Sequence, residues 1–550
     1  MNSELRGLAA IVASVVVFVI WYSFVVPHFW PEMAKNGVQK DEVINEVKPN
    51  TPQAPEATAV DTKAEAGEDS PQEMDESEVK ETETVLENDL IKVVFTNYGG
   101  RPASWRLKQY EGEDGTNVEM VRQGLDPTLA PLEVRIDDTL KPRRYRVLEE
   151  GKDHVKYIWS SDGIEIEKTY TLGKGYDIAL EVVIRNKGNV ELSKKITIGW
   201  GDIVKQEEPK KVLGIISRPK DRNIPVYMVD GRLGKEKDPS RLKERFLTGS
   251  VKWVGIENRY FLSAIALHTE EGDGVSIKPV EGKGFLSLLA LRSQPIPPGG
   301  EARYSFTVYG GPKEIKSLKE VGLGLERAID YGWFGFIAVP ILHTLKFLYR
   351  FVHNWGIAII LLTILIKILL HPISKSSMRS MREMQKLQPK IKEIRERYKN
   401  DRDRLNLELM QLFKTHKVNP MGGCLPMLLQ LPIYIALYRV LWNAIELYRA
   451  PFFWFYKDLS QPDPYYITPI LLGIFMVLQQ ILTPQTSQDP AQQKMMYIMP
   501  ILFTVFLLVL PAGLVIYILV NTLFSVVQQW MMRKELGVKD IIKMAFGRRA

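Results

Sequence analysis

The chain has 550 residues, a formal net charge of +7, 45% hydrophobic residues and a single cysteine, Cys424. This length is enough for several domains, and one cysteine excludes an internal disulfide framework. The positive charge is concentrated beside apolar runs, which favours a role in membrane topology over nucleic-acid binding.

An apolar run near the start of the chain covers residues 7–26 and consists almost entirely of Ala, Val, Ile and aromatic residues. It is longer than the apolar part of a usual signal peptide, and no cleavage site of small residues follows it. We therefore predict an uncleaved transmembrane anchor over residues 1–26.

The next stretch, residues 27–87, is rich in Glu, Asp, Thr, Pro and Ala and poor in aromatic and branched side chains. A segment of this composition buries too little apolar area to offset the entropy lost on ordering. The composition predicts an acidic, disordered linker.

Residues 88–330 contain many short runs in which apolar and polar residues alternate, separated by turns such as Asn-Lys-Gly and Ser-Asp-Gly. This pattern predicts a large antiparallel β-sandwich that ends near Gly311, followed by a charged helix. His154 and His268 do not have metal-ligand spacing. We expect a structural or partner-docking role, with a sugar or peptide site on a concave face as the alternative.

Residues 331–350 are aromatic and apolar, but Lys346, His343 and Arg350 interrupt them and Pro340 lies inside the run. Such a pattern is typical of an amphipathic helix that lies in the membrane interface rather than across the bilayer. We expect this helix to couple the β-domain to the membrane domain.

The central feature of the chain is the run from Asn354 to Pro372, within a predicted transmembrane helix over residues 351–373. A bilayer core of about 30 Å takes roughly 20 apolar residues, and this run carries one charge, Lys367. Thr363 lies one helical turn earlier on the same face. The ammonium group either reaches out to the lipid headgroups or faces a polar groove between helices, and we favour the groove.

Residues 374–418 are strongly basic and have Met and Leu residues at helical spacing. The basic charge places this segment in the cytoplasm. We predict a cytoplasmic helical hairpin whose apolar stripe packs its two arms together, with a Met-rich surface for partners as the alternative.

The remaining chain alternates between apolar spans and polar connections. We predict transmembrane helices over residues 419–442, 465–483, 495–510 and 511–532, a periplasmic loop over 443–464, a cytoplasmic loop over 484–494 and a basic cytoplasmic tail over 533–550. With the anchor and the Lys367 helix this gives six spans, and both termini lie in the cytoplasm.

Polar residues inside these spans form the candidate site. Tyr517, Asn521 and Ser525 follow one another at four-residue spacing, and Gln430 lies within its own span. Together with Thr363 and Lys367 they could line a hydrophilic groove entered from the cytoplasm. The alternative is ordinary hydrogen bonding between helices. No nucleotide-binding loop or metal-ligand pattern is present in the sequence, so we predict no cofactor and no enzymatic reaction.

Six segments carry a resemblance to a known family: NWGIAIILLTILIK, LQPKIKEIRERY, VNPMGGCLPMLLQLPIYIALY, DPYYITPILLG, QQKMMYIMPILFTVF and PAGLVIYILVNTLFSVVQQ. Over about the last 220 residues the chain closely resembles the YidC family of membrane protein insertases. The anchor, acidic linker and β-domain resemble the Gram-negative type, which has a large periplasmic β-supersandwich.

The resemblance implies a bacterial inner-membrane insertase with a five-helix core that holds a positively charged groove, open to the cytoplasm and the lipid. It implies that the protein inserts newly made membrane proteins and helps them to fold as a chaperone, alone or together with the Sec translocon. It also implies that the hairpin contacts early substrates, and that the hairpin and the basic tail contact the ribosome and a targeting receptor. Lys367 stands at the family's charged groove position, where many members have arginine, so the bidentate geometry of a guanidinium is lost.

Two other functions fit parts of the sequence. A secondary transporter could use a buried lysine, but the spans have no obvious intramembrane carboxylate and no paired broken segments. A glycan-binding envelope protein would use the β-sandwich as its working part. We favour the insertase.

Overall fold

A computed structural model describes part of the chain. The described residues are 79–112, 114–137, 143–204, 211–212, 216–217, 222–268, 272–280, 282–292, 294–416, 418, 425–453, 456–483 and 490–533. The predicted anchor, most of the acidic linker and all but the first residue of the predicted basic tail lie outside them.

The first half of the described chain is all-β. Its strands are β1 (Glu83–Glu87), β2 (Ile91–Thr96), β3 (Arg101–Glu111), β4 (Asn117–Glu119), β5 (Val134–Ile136), β6 (Arg146–Glu150), β7 (His154–Ser161), β8 (Ile164–Leu172), β9 (Asp177–Asn186), β10 (Ile196–Asp202), β11 (Lys211–Val212), β12 (Ile216–Ser217), β13 (Ile224–Val229), β14 (Arg232–Lys235), β15 (Arg245–Glu257), β16 (Phe261–Leu267), β17 (Gly272–Val280), β18 (Gly284–Ala290) and β19 (Glu301–Pro312).

Two antiparallel sheets make up most of this domain. One has the order β1-β2-β3-β4, and the larger has the order β5-β10-β18-β17-β15-β16-β19-β9-β8-β7-β6, with β13 and β14 attached beside β15. Alternation builds these strands, as in β7, where Val155, Tyr157 and Trp159 face the core. The predicted β-sandwich is therefore confirmed.

The predicted boundary of the linker differs from the structure. Strand β1 begins at Glu83, inside the stretch assigned to the disordered linker, and pairs with β2. Thr84 and Leu86 face inward while three outward positions carry Glu or Val. Composition did not reveal this strand because its outward face is mostly charged.

The second half is helical. Its helices are α1 (Ile315–Val321), α2 (Gly335–Val352), α3 (Trp355–Arg397), α4 (Arg402–Thr415), α5 (Leu425–Asn443), α6 (Ile467–Leu482), α7 (Pro490–Leu507) and α8 (Ala512–Arg533). Asn354 and Asp401 start α3 and α4 as N-caps, since each side chain accepts a bond from a backbone N–H of the first turn.

Helices α2, α3, α5, α6 and α8 pack around one apolar core that includes Leu345, Leu362, Leu437, Leu472 and Val515. Among the described helices, Gly335–Val352, Trp355–Arg397 and a stretch of α8 are long and apolar enough to cross a membrane. The bundle also exposes large apolar side chains to its surroundings, including Ile368, Leu369, Ile474, Ile501 and Leu502. Such a surface suits a lipid environment.

Two helix boundaries differ from the sequence prediction. Helix α3 runs without a break from the predicted span into the first arm of the predicted hairpin, through Pro372 and Pro389. Helix α7 begins at Pro490, inside the stretch predicted as a cytoplasmic loop. Proline at the first helical position is compatible with a helix, so polar composition alone misplaced this start.

The β-domain rests on the helical domain through a seam formed by the end of β3, the turn between β15 and β16, and the segment that begins at the end of α5. Arg259 donates from Nε to the Trp442 carbonyl at 2.6 Å and stacks on the Trp442 ring at 3.9 Å. The Tyr448 hydroxyl donates to the Glu111 carbonyl at 2.9 Å, and the Tyr448 ring packs edge-on against Phe261.

Candidate functional site

Polar side chains from α3, α5 and α8 meet inside the helical bundle. On α8 the four-residue spacing places Tyr517, Asn521 and Ser525 on one face, as the sequence predicts. Gln430 of α5 donates from Nε2 to the Tyr517 hydroxyl at 3.0 Å. The structure therefore brings the polar residue of one predicted span against the polar stripe of another.

A second aromatic member of this cluster is Tyr434, one turn after Gln430 on α5. Its hydroxyl accepts a hydrogen bond from Nδ2 of Asn521, and its ring packs edge-on against Tyr517 at 5.6 Å. Each of the two tyrosine hydroxyls pairs with a polar side chain on the opposite helix. Sequence reasoning missed Tyr434, although its i+4 relation to Gln430 is a signal that could have found it.

Lys367 completes the cluster from α3. Its Nζ donates to Ser525 Oγ at 2.8 Å, and Ser525 Oγ donates to the Asn521 carbonyl at 2.9 Å. The ammonium group thus lies against α8, next to the polar stripe.

Thr363 stands apart from these residues. Its side chain is fully buried, and its hydroxyl donates to the Ile359 carbonyl at 2.7 Å within the same helix. A shared helical face suggested that Thr363 and Lys367 have the same environment, but this intrahelical bond satisfies the hydroxyl away from the cluster. The predicted companion of Lys367 on α3 is therefore replaced by Ser525 on α8.

Burial changes along the cluster. Tyr517 is fully buried and Asn521 is 6% exposed, whereas Gln430, Lys367 and Ser525 are half-buried. Beyond Tyr517 the bundle is apolar, and the loop before α6 covers that end: Gly513 donates from its backbone N–H to the Leu459 carbonyl. The cluster is closed at the end near this loop and more open at the end near Lys367.

The two polar atoms of the Asn521 side chain differ in their hydrogen bonding. Its Nδ2 is bonded to Tyr434, but its Oδ1 is buried with no hydrogen-bond partner among the described residues. An unsatisfied buried acceptor costs about 1–3 kcal/mol. No group of three or more His, Cys, Asp or Glu side chains that could hold a metal ion exists within the described part of the chain.

An all-β domain joined to a bundle of apolar helices, with a cationic polar cluster inside the bundle, defines a polytopic membrane protein with a large domain outside the bilayer. Family comparisons match both parts. Residues 347–539 match the family described as 60Kd inner membrane protein, and residues 83–344 match the family described as YidC periplasmic domain.

Relatives match over nearly the whole chain. The membrane protein insertase YidC of Syntrophus aciditrophicus (strain SB) is 36% identical, over 96% of this chain and 99% of that protein. The insertase YidC of Geobacter metallireducens (strain ATCC 53774 / DSM 7210 / GS-15) is 35% identical, over 98% and 99%. A crystal structure described as an active YidC insertase with the first transmembrane domain resolved is 19% identical and covers 82% of this chain and 93% of its own, with a TM-score of 0.35. The chain belongs to the YidC family of membrane protein insertases.

Proposed function

We propose that this insertase of the bacterial inner membrane moves polar segments of newly made membrane proteins through a hydrophilic groove formed by the cluster around Lys367. The family accounts for the insertase activity, which involves no enzymatic reaction. The proposed groove provides a path by which a polar segment crosses the bilayer. Lys367, Gln430, Tyr517, Asn521 and Ser525 supply its polar surface, while Thr363 supports the α3 backbone.

The groove lowers the cost of crossing the bilayer. A polar segment that enters hydrocarbon loses the water bound to its backbone and charges, which is strongly unfavourable. A hydrated groove shortens the dry path, and the Lys367 ammonium attracts acidic residues of the incoming segment. The apolar part of the substrate then leaves along the flank of the bundle into lipid.

One observation carries this proposal: the hydrogen-bonded cluster becomes more exposed from Tyr517 toward Lys367. Only Ser525 Oγ holds the ammonium group among the hydrogen bonds of the described residues. A lysine satisfied by one neutral hydroxyl keeps donors for a substrate carboxylate. The buried Asn521 Oδ1 offers an acceptor for a substrate N–H deeper in the groove.

The remaining parts of the proposal concern topology and partners. The basic arms of α3 and α4 and the basic tail favour a cytoplasmic position for these segments and for both termini, with the β-domain in the periplasm. The chain works alone on simply threaded substrates and with the Sec translocon on others. The helical hairpin meets the ribosome and a targeting receptor.

Water accessibility tests the groove directly. In a Cys424→Ser background, Ser525→Cys is placed in proteoliposomes and treated with a membrane-impermeant maleimide from the side of the α3–α4 hairpin. We expect rapid labelling because the groove is hydrated and open on that side. The control is Leu369→Cys, which is near Lys367 along α3 but 72% exposed on the apolar surface, and which we expect to remain unlabelled.

Two results would contradict the groove. Equal protection of Ser525→Cys and Leu369→Cys would mean that the cluster is dry and serves only to hold the helices together. Faster labelling from the β-domain side would mean that the groove opens in the opposite direction.

A further inference from the structure

Helices α3 and α8 share a second polar contact beyond the one between Lys367 and Ser525. His371 follows Lys367 by four residues on α3, so the two side chains lie on the same face of that helix. Gln528 follows Ser525 by three residues on α8. The Gln528 amide nitrogen, Nε2, lies 3.3 Å from His371 Nδ1. A pair of polar side chains across the two helices is therefore repeated one turn further along both.

This second contact continues the gradient of burial in the polar cluster. Asn521 is 6% exposed, Lys367 is half-buried and His371 is exposed. His371 also lies on the side of Lys367 from which α3 runs on into the helical hairpin. An incoming segment that enters the proposed groove from that side meets His371 before it reaches Lys367.

The contact with Gln528 determines which ring nitrogen of His371 carries the proton. An amide nitrogen can only donate, so Gln528 Nε2 is the donor and His371 Nδ1 is the acceptor. The neutral imidazole therefore carries its proton on Nε2. This second N–H forms no hydrogen bond within the described part of the chain, and it belongs to an exposed side chain. It is available to donate to a ligand.

Together the two side chains suit carboxylates. The Lys367 ammonium has N–H donors beyond the one that Ser525 Oγ accepts, and the His371 imidazole has one donor at Nε2. Neither side chain is paired with an Asp or Glu among the residues that the structure describes. A carboxylate from another chain would therefore meet these donors without a competing acid, and it accepts charge-assisted hydrogen bonds.

The separation of Lys367 and His371 determines which acidic pattern fits them. Residues four apart on a helix are separated by about 6 Å along its axis. Alternate residues of an extended chain point to the same side and are about 6.6 Å apart, whereas adjacent residues point to opposite sides. Two acidic residues at alternate positions can therefore reach both donors at once. Two adjacent acidic residues cannot.

We infer that Lys367 and His371 form a two-point site for a pair of acidic residues at alternate positions of an extended, translocated segment. The inference rests on the proposed function, which brings such a segment into the groove. A short polar tail enters extended because isolated helices of fewer than about 12 residues are marginal in water. Lys367 attracts any acidic residue, and His371 adds a preference for this spacing.

Two substrates with the same composition and net charge test the spacing. Each is a single-span protein with a short Ser/Gly tail that carries either Asp-Ser-Asp or Asp-Asp-Ser. Insertion into proteoliposomes that contain the full chain is measured by protease protection of the tail. We expect the wild-type chain to insert the Asp-Ser-Asp tail severalfold faster than the Asp-Asp-Ser tail.

Variants of His371 assign this difference to the imidazole. His371→Phe should remove the difference, since it keeps a ring but loses the donor. His371→Gln should retain it, because the glutamine amide nitrogen can replace the Nε2–H. The matched control is His268→Phe, which changes an exposed histidine of the β-domain that is bonded to the Thr307 hydroxyl, and it should leave the difference unchanged.

Three results would overturn the two-point site. Equal insertion of the two tails by the wild-type chain would show that only net charge is recognised. A spacing preference that persists in His371→Phe would place its origin elsewhere. Equal slowing of both tails in His371→Phe would assign the imidazole to helix packing or to a lipid phosphate.

Labelling of Ser525→Cys separates these failures from failure of the groove. If Ser525→Cys is labelled from the hairpin side and the two tails insert equally, the groove stands and the two-point site is wrong. If Ser525→Cys is protected, the groove itself is wrong and the site has no segment to bind.

Discussion

The two regions of this molecule each enclose a lysine, and the surroundings of the two side chains differ. In the β-domain, Lys168 of β8 is fully buried, and its Nζ donates to the Gly99 carbonyl at 2.7 Å and to the Leu132 carbonyl at 2.9 Å. In the helical bundle, Lys367 is half-buried, and its Nζ donates to Ser525 Oγ.

Lys168 holds the two sheets of the sandwich together. Gly99 lies in the turn between β2 and β3 of the smaller sheet, whereas Lys168 and the strand after Leu132 belong to the larger sheet. Burial lowers the pKa of Lys168 to about 8, and the nearby Glu133 carboxylate opposes this shift. Burial also raises the pKa of Glu133, which is 3% exposed.

The different hydrogen-bond partners of Lys168 and Lys367 indicate different roles for the two lysines. A lysine with several carbonyl acceptors and a carboxylate beside it is committed to the fold. A lysine held by one hydroxyl at the open end of a polar cluster retains donors for a visiting group. The same residue type therefore stabilises one domain, and in the other we propose that it is available to substrates.

The largest effect should come from Lys168→Met. Removing the ammonium leaves Glu133 buried with less compensation, so we expect the β-domain to lose about 3–5 kcal/mol of stability. Hydrogen exchange of the β8 and β9 amides in the intact chain measures this loss. Lys92→Met is the control, because Lys92 pairs with Glu87 at the surface and should cost under about 1 kcal/mol. Equal amide exchange rates in the two variants would contradict a structural role for Lys168.

The next effect concerns the contact between the regions. Arg259→Ala removes a charged hydrogen bond and a stacking contact to Trp442, so the β-domain should be held on the bundle less tightly by about 2 kcal/mol. Spin labels on the two domains should then give a broader distance distribution. Arg303→Ala, which removes ion pairs on the sandwich surface, is the control and should leave the distribution unchanged. A distribution that stays narrow in Arg259→Ala would show that the other seam contacts suffice.

Lys367→Ala should impair insertion of substrates whose translocated tails are acidic, by on the order of ten-fold, which corresponds to about 1.4 kcal/mol. Lys367→Arg should preserve insertion because the positive charge remains. Protease protection of the translocated tail measures both variants, with Lys375→Ala as a control outside the cluster. If Lys367→Ala inserts acidic and neutral tails equally well, the ammonium has no role in recognising substrate.

The smallest effect is a pH dependence in the β-domain. Because the folded pKa of Lys168 is about 8 and the usual lysine value is 10.5, the unfolded chain binds more protons between these values. Stability from this group therefore rises with pH across that window and is lost again as pH falls from about 10.5 to about 8. We expect a gain of about 1 kcal/mol from pH 8 to pH 9, relative to Lys168→Met. Parallel pH profiles for the wild-type chain and Lys168→Met would contradict the shift.

Much of the fold could be predicted from the sequence. Alternating runs separated by Gly-containing turns predicted an antiparallel sandwich, and four-residue spacing predicted the polar face of α8. Composition predicted the ends of strands and helices less accurately. Strand β1 was assigned to the linker and the start of α7 to a loop, because polar residues at outward-facing or amino-terminal positions resemble loop composition.

The candidate site could be predicted in part. Spacing along one helix located Tyr517, Asn521 and Ser525, but it could not show which residue on another helix each one meets. Tyr434 was missed and Thr363 was placed in the groove, since both assignments depend on contacts between or within helices that sequence order does not reveal.

The sequence by itself determined the division into a β-rich part and a membrane-spanning part, and the presence of one lysine in an apolar run, because periodicity and hydropathy are local properties. Only the tertiary structure decided that Ser525 receives the Lys367 ammonium and that Lys168 joins two sheets. These pairings join residues far apart in the chain, and packing in three dimensions determines which side chains meet.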